Sequence, residues 1–170
     1  FVEKGERVAI ISRGYGGKLN NKKVNVISDG INLFYKADMA GDEPYWLAVN
    51  LNMCAVLTCA DRIKAAEYAI KELGVTKIIL DDGFQHRKMA RDLDIVLVDS
   101  EKLFGNENLL PAGPLREGME GFKRIDKLVI VSKNTDHSRA EKLARVYSKK
   151  QGIPTVSYTH LRAHETPEHL

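Results

Sequence analysis

Residues 53–80 hold an apolar run, a helical pattern and a second apolar run in succession, and that order restricts what the chain can become. Residues 53–58 read as a buried strand. Asp61 then caps a helix in which Ile63, Ala66, Ala69, Ile70 and Leu73 recur at helical spacing, and Gly74 ends it. Lys77–Leu80 supplies the aliphatic residues of a central strand covered on both faces. Strand, helix and strand at this length form the right-handed parallel crossover unit. Further strands are expected at Val8–Ser12, at residues 94–99 and at Lys127–Val131. Residues 138–151 form an amphipathic helix with Ala140, Leu143, Ala144 and Tyr147 on one face, closed by Gly152. The expected class is α/β, a mostly parallel sheet flanked by helices.

The central strand ends in Asp81-Asp82-Gly83, where open α/β sheets bind their ligands. Two meanings stand side by side. The carboxylates either hold Mg²⁺, which prefers a few carboxylate and water oxygens, or one caps a turn before Gly83 and the other is solvated. The first strand runs into Arg13-Gly-Tyr-Gly-Gly-Lys18, a loop that is either a plain turn or an anion receptor made of its amides with Arg13 and Lys18. It is not a Walker A loop, because its glycine spacing differs and Leu19 follows the lysine. Asp29-Gly30 between residues 24–28 and 31–35 predicts a small antiparallel hairpin leaving the main sheet. Asp42 fits the cap of a helix continued by Tyr45, Trp46, Leu47 and Val49, with Pro44 in its first turn.

The 170 residues, 44% hydrophobic and 29% charged, suffice for one core. A net charge of +3 without a basic block gives no reason to expect nucleic acid. No run has the length of a membrane span, and no signal-peptide pattern opens the chain. Cys54 and Cys59 fit neither a zinc knuckle nor a redox pair and read as reduced core thiols. Residues 1–5 resemble the end of a helix, with Gly5 in the capping position, so a preceding segment is expected. Residues 156–170, with His160, His164 and His169, fit neither period. They resemble translated adapter read-through and are set apart as a non-native tail, leaving residues 1–155 as the core.

Six motifs occur in order: Ser12-Arg-Gly-Tyr-Gly-Gly17, Ala40-Gly-Asp-Glu-Pro44, Asp61-Arg62, Leu80-Asp-Asp-Gly-Phe-Gln-His-Arg87, Arg91-Asp-Leu-Asp-Ile-Val-Leu-Val98 and Leu110-Pro-Ala-Gly-Pro-Leu-Arg-Glu117. With them the chain resembles the tetraacyldisaccharide 4'-kinases, the lipid A kinases of Gram-negative bacteria, over nearly all of residues 1–155. The resemblance implies an incomplete P-loop NTPase-like domain. It also implies ATP and Mg²⁺ as cofactors and an acylated glucosamine disaccharide 1-phosphate as acceptor, at the cytoplasmic face of the inner membrane.

On that resemblance Asp81 and Asp82 are the Mg²⁺ carboxylates of a Walker B strand. Asp42 is the base toward the sugar hydroxyl, with Glu43 beside it. Arg62 and Arg116 are forks for phosphate oxygens, and Gln85 and His86 orient phosphate or metal-bound water. The family's Walker A loop and its C-terminal half have no counterpart here, so the fragment alone is expected to be nearly inactive. Two other functions compete: another P-loop enzyme, GTPase-like or dethiobiotin-synthetase-like, and a non-catalytic nucleotide-sensing scaffold. Neither enzyme type accounts for the Gly-Asp-Glu-Pro and Pro-Leu-Arg-Glu motifs.

Overall fold

The structure, a computed structural model, describes residues 1–132 and 137–158. The chain divides into two units, Phe1–Ala90 and the residues from Arg91 onward. The first holds β1 (Val8–Ser12), β2 (Asn25–Ser28), α1 (Ala37–Ala40), α2 (Asp42–Asn50), β3 (Cys54–Thr58), α3 (Arg62–Leu73) and β4 (Lys77–Leu80). Its sheet has the order β2-β3-β1-β4. The strand β1 is buried at every position and runs parallel to both neighbours, Ser12 opposite Thr58 and Ile11 opposite Leu80. The crossover from β3 through α3 to β4 is therefore present, with β1 placed between its two strands.

Three local expectations change. First, β4 borders the described sheet and is not buried on both faces. Ile79 is 44% exposed because β4 has a strand partner on the β1 side alone among the described residues. Second, β2 pairs antiparallel with β3 within the sheet, whereas the other arm of the expected hairpin shrinks to a bridge between Ser28 and Leu33. Asp29 still makes the turn: its carboxylate accepts from the Ile31 and Asn32 amides at 2.9 and 2.7 Å, which holds its pKa down. Third, α3 turns alanines inward. Ala65, Ala66 and Ala69 are buried against Ile11, Leu57 and Val75, while Ile70 is 55% exposed. Small side chains let the helix approach the sheet closely, a solution that hydrophobic periodicity alone does not distinguish from a larger apolar face.

Asp61 is the N-cap of α3 as expected, accepting from the Ile63 amide at 3.1 Å and the Lys64 amide at 3.4 Å. Gly74 closes the helix in the left-handed conformation. Replacing Asp61 with Ala leaves those amides without their cap and is expected to cost about 1 kcal/mol. Urea unfolding reads this as a lower midpoint with an unchanged slope. At the start of the chain, Val2–Lys4 forms a short 3₁₀ turn ended by Gly5 with φ 78°.

The second unit contains β5 (Ile95–Asp99), a 3₁₀ segment (Met119–Arg124), β6 (Lys127–Val131), α4 (His137–Gln151) and β7 (Thr155–Tyr158), with a parallel sheet in the order β5-β6-β7. Ala140 and Ala144 of α4 are buried, and Phe104 sets its ring edge against Phe122 at 4.8 Å and Tyr147 at 5.5 Å. Residues 156–158, placed in the tail by the sequence, here form most of β7, with Val156 opposite Val129 and Tyr158 opposite Val131. Their β-branched and aromatic side chains suit a strand. His160, His164 and His169 lie outside the described residues.

Candidate active site

The parallel strands of the first unit end together, and the sequence motifs follow those ends. Past β4, the Asp81 amide donates to the Ile11 carbonyl at 3.0 Å, which extends the pairing with β1 by one residue and fixes the first carboxylate at the sheet's rim. Asp82 then takes a left-handed conformation, φ 48°. Gly83 must follow it, since a Cβ there would lie 2.5 Å from Cβ of Leu80. The His86 amide closes a turn on the Gly83 carbonyl at 2.9 Å, so Gln85 and His86 lie in the turn that follows the carboxylates in sequence.

The glycine-rich loop after β1 and the α1–α2 junction interlock through their backbones. The Lys18 and Leu19 amides donate to the Met39 carbonyl at 2.9 and 3.2 Å. A Cβ on Gly17 would stand 2.6 Å from the Ala40 carbonyl oxygen, and one on Gly41 2.6 Å from that of Tyr15. Gly41 also has φ 92°. Only glycine allows this approach on both sides. The amides of residues 18 and 19 are thereby taken, so the loop does not receive an anion through them.

Gly41, and not Asp42, is the N-cap of α2, and Asp42 is the first helical residue. Its carboxylate is exposed, as is that of Glu43. Both stand in the first turn, where the helix dipole favours negative charge. The pKa of Glu43 is raised, first by the charge of Asp81, then by burial and by the charge of Asp82. The charges of one motif's carboxylates thus bear on a carboxylate of another.

Opposite charge comes from Arg62, the first residue of α3. It is 5% exposed, and its Nε is buried without a hydrogen-bond partner among the described residues. Burial and then the nearby Arg13 guanidinium lower its pKa, while Asp82, Asp81 and Tyr15 act the other way. Arg13 lies over the Tyr15 ring, 5.0 Å from its centroid. Of the residues singled out from sequence, Asp42, Glu43, Arg62, Asp81, Asp82, Gln85 and His86 thus belong to the first unit. Arg116 belongs to the second, exposed in the loop after the bridge of Leu115 to Leu109.

Among the described residues no group of three or more Asp, Glu, His or Cys side chains is arranged to hold a metal ion. Mg²⁺ takes one or two carboxylates and fills its octahedron with water and substrate phosphates, and Asp81 and Asp82, adjacent at the end of β4, offer carboxylates in that number.

The sequence profile of the family described as tetraacyldisaccharide-1-P 4'-kinase matches residues 1–169. The chain belongs to this family. A tetraacyldisaccharide 4'-kinase of Desulfotalea psychrophila is 44% identical over 133 residues, 78% of this chain and 38% of that protein. One of Syntrophus aciditrophicus is 48% identical over 136 residues, 79% of this chain and 36% of that protein. The chain thus spans little more than a third of the length of these 4'-kinases. The crystal structure described as the "apo" form of LpxK from Aquifex aeolicus in complex with ATP superposes with a TM-score of 0.68 at 30% identity, covering 98% of this chain and 67% of that one. Family membership accounts for both the mostly parallel sheets and the six motifs.

What the sequence missed at the site is the interlock and the Arg13–Tyr15 contact. The interlock left one signal: glycines beside small residues in both motifs, Gly16-Gly17 and Ala40-Gly41, where backbones can meet.

Proposed function

We propose that this chain is the part of a tetraacyldisaccharide 4'-kinase that holds the metal-binding and acceptor-activating residues, and that the complete enzyme transfers the ATP γ-phosphate to the 4'-hydroxyl of an acylated glucosamine disaccharide 1-phosphate. The observation that carries this is the sheet's rim, where Asp81 extends the pairing of β4 with β1, Arg62 is buried at the start of α3, and the charges of Asp81 and Asp82 bear on both Glu43 and Arg62. Phosphoryl transfer asks a protein chiefly to align two oxygens and neutralise charge on the group between them.

Mg²⁺, when bound, neutralises phosphate charge and orients the transferred group. Asp81 and Asp82 are the residues that would hold it. Asp42, freed from capping by Gly41, accepts the proton of the sugar hydroxyl. Glu43 contributes negative charge toward the metal carboxylates. Arg62 and Arg116 offer planar forks for phosphate oxygens, and Gln85 and His86 orient phosphate or water at the metal. The acceptor carries acyl chains, and on this proposal the enzyme meets it at the cytoplasmic face of the inner membrane as a peripheral or membrane-associated protein. Among the described residues no helix is long and apolar enough to cross a membrane.

The test is an assay with radiolabelled ATP and tetraacyldisaccharide 1-phosphate, using a full-length family kinase that carries this segment. Label on the 4'-oxygen is expected, and residues 1–170 alone should transfer almost none. Label confined to the nucleotide in the full-length reaction, or robust transfer by residues 1–170, would refute the assignment.

A further inference from the structure

Resting on the phosphoryl-transfer function proposed above, we infer that Arg13 joins Arg62 in a two-guanidinium clamp for a phosphate group, with the Tyr15 ring as the platform that holds Arg13 ready. The topology brings the two together. Arg13 is the first residue beyond β1, and the Cys59 amide donates to the Ser12 carbonyl at 3.2 Å, so the segment leading to Arg62 leaves the sheet alongside it. On the other side of β1 stands Asp81, bonded to the Ile11 carbonyl. Arg13 therefore emerges between the helix that begins with Arg62 and the carboxylate turn.

Two like charges at one rim repel: burial first and then the Arg13 charge lower the pKa of Arg62, against Asp82, Asp81 and Tyr15, which raise it. A guanidinium does not relieve this by losing its proton at accessible pH. An anion between the two does relieve it. The buried Nε of Arg62, without a hydrogen-bond partner among the described residues, is the donor such an anion satisfies. A phosphate matches best, since its oxygens accept bidentate bonds from planar forks. Arg62 is fixed by burial, whereas Arg13 is exposed and steadied by stacking on Tyr15. Lys18 is a poorer partner for the same role, because its segment is tied back to Met39.

Two phosphates qualify, that of the nucleotide and the 1-phosphate of the lipid acceptor. In a full-length family kinase carrying this segment, Arg13→Ala is expected to raise KM for one substrate or lower kcat by at least about tenfold. Arg13→Lys, which keeps the charge without the fork, should recover only part of the loss. Calorimetric titrations with inorganic tripolyphosphate and with glucosamine 1-phosphate separate the sources: weaker tripolyphosphate binding assigns the clamp to the nucleotide, weaker sugar-phosphate binding to the acceptor. Phosphorylation by the parent enzyme combined with R13A values all within about twofold of parent overturns the clamp and leaves the kinase function standing. A parent that fails to phosphorylate the disaccharide overturns the kinase function instead. The titrations then decide the clamp: weakening by R13A supports it, and unchanged affinity or no phosphate binding by the parent rejects it.

Discussion

Replacing Asp42 with Asn in a full-length family kinase carrying this segment lowers kcat by about 10²–10⁴ while ATP affinity stays near that of the parent. The expectation follows from where Asp42 stands. A capping aspartate spends its carboxylate on the helix amides, but here Gly41 is the cap and Asp42 opens α2 with its carboxylate exposed. The amide side chain of Asn is nearly isosteric, so the helix is preserved and only proton acceptance is lost. Equilibrium binding of ATP beside steady-state rates checks the split. Unchanged turnover would remove Asp42 from the mechanism, and a parallel loss of ATP binding would make its role structural.

The second large effect is expected at Gly41. An alanine there must hold φ 92° and place its Cβ 2.6 Å from the Tyr15 carbonyl oxygen. Left-handed strain costs about 1–3 kcal/mol, and overpacking against backbone costs a similar amount. Together they remove about 2–5 kcal/mol from a domain whose whole stability is of order 5–15 kcal/mol. Relief comes from separating the glycine-rich loop from the α1–α2 junction, which moves Asp42 and Glu43 away from Asp81 and Asp82. Gly41→Ala should therefore unfold at lower urea and lose kcat in the fraction that remains folded. Gly16, where an added Cβ would meet nothing within 4 Å, is the control: alanine there meets backbone strain but no neighbour, so the smaller loss at Gly16 isolates the interlock.

Strands β1, β3, β5 and β6 and helices α3 and α4 were legible in the sequence because each combines periodicity with a punctuating residue, as in Asp61 and Gly74 around α3. The carboxylates of the site were legible because two aspartates after an aliphatic strand are a local signal. Less could be seen where the answer depends on neighbours far along the chain. The exposed border at β4 is a property of sheet order, and Ile78-Ile79-Leu80 reads the same in a central strand as at an edge. The interlock joins residues 17 and 41, and the pressure on Glu43 comes from residues 81 and 82. The reversal of β2 onto β3 was missed because Asp29-Gly30 reports only the turn and says nothing of which strand each arm will pair with.

Asp81 and Asp82, whose charges raise the pKa of Glu43, are proposed to hold the divalent ion of a phosphoryl-transfer site. The most direct test is Mn²⁺ binding, followed by electron paramagnetic resonance, in the full-length kinase with ATP present. Asp81→Asn with Asp82→Asn is expected to abolish protein-bound Mn²⁺ at concentrations that saturate the parent, with the urea midpoint held within about 1 kcal/mol of parent stability. Undiminished Mn²⁺ binding by the folded double variant would contradict the claim.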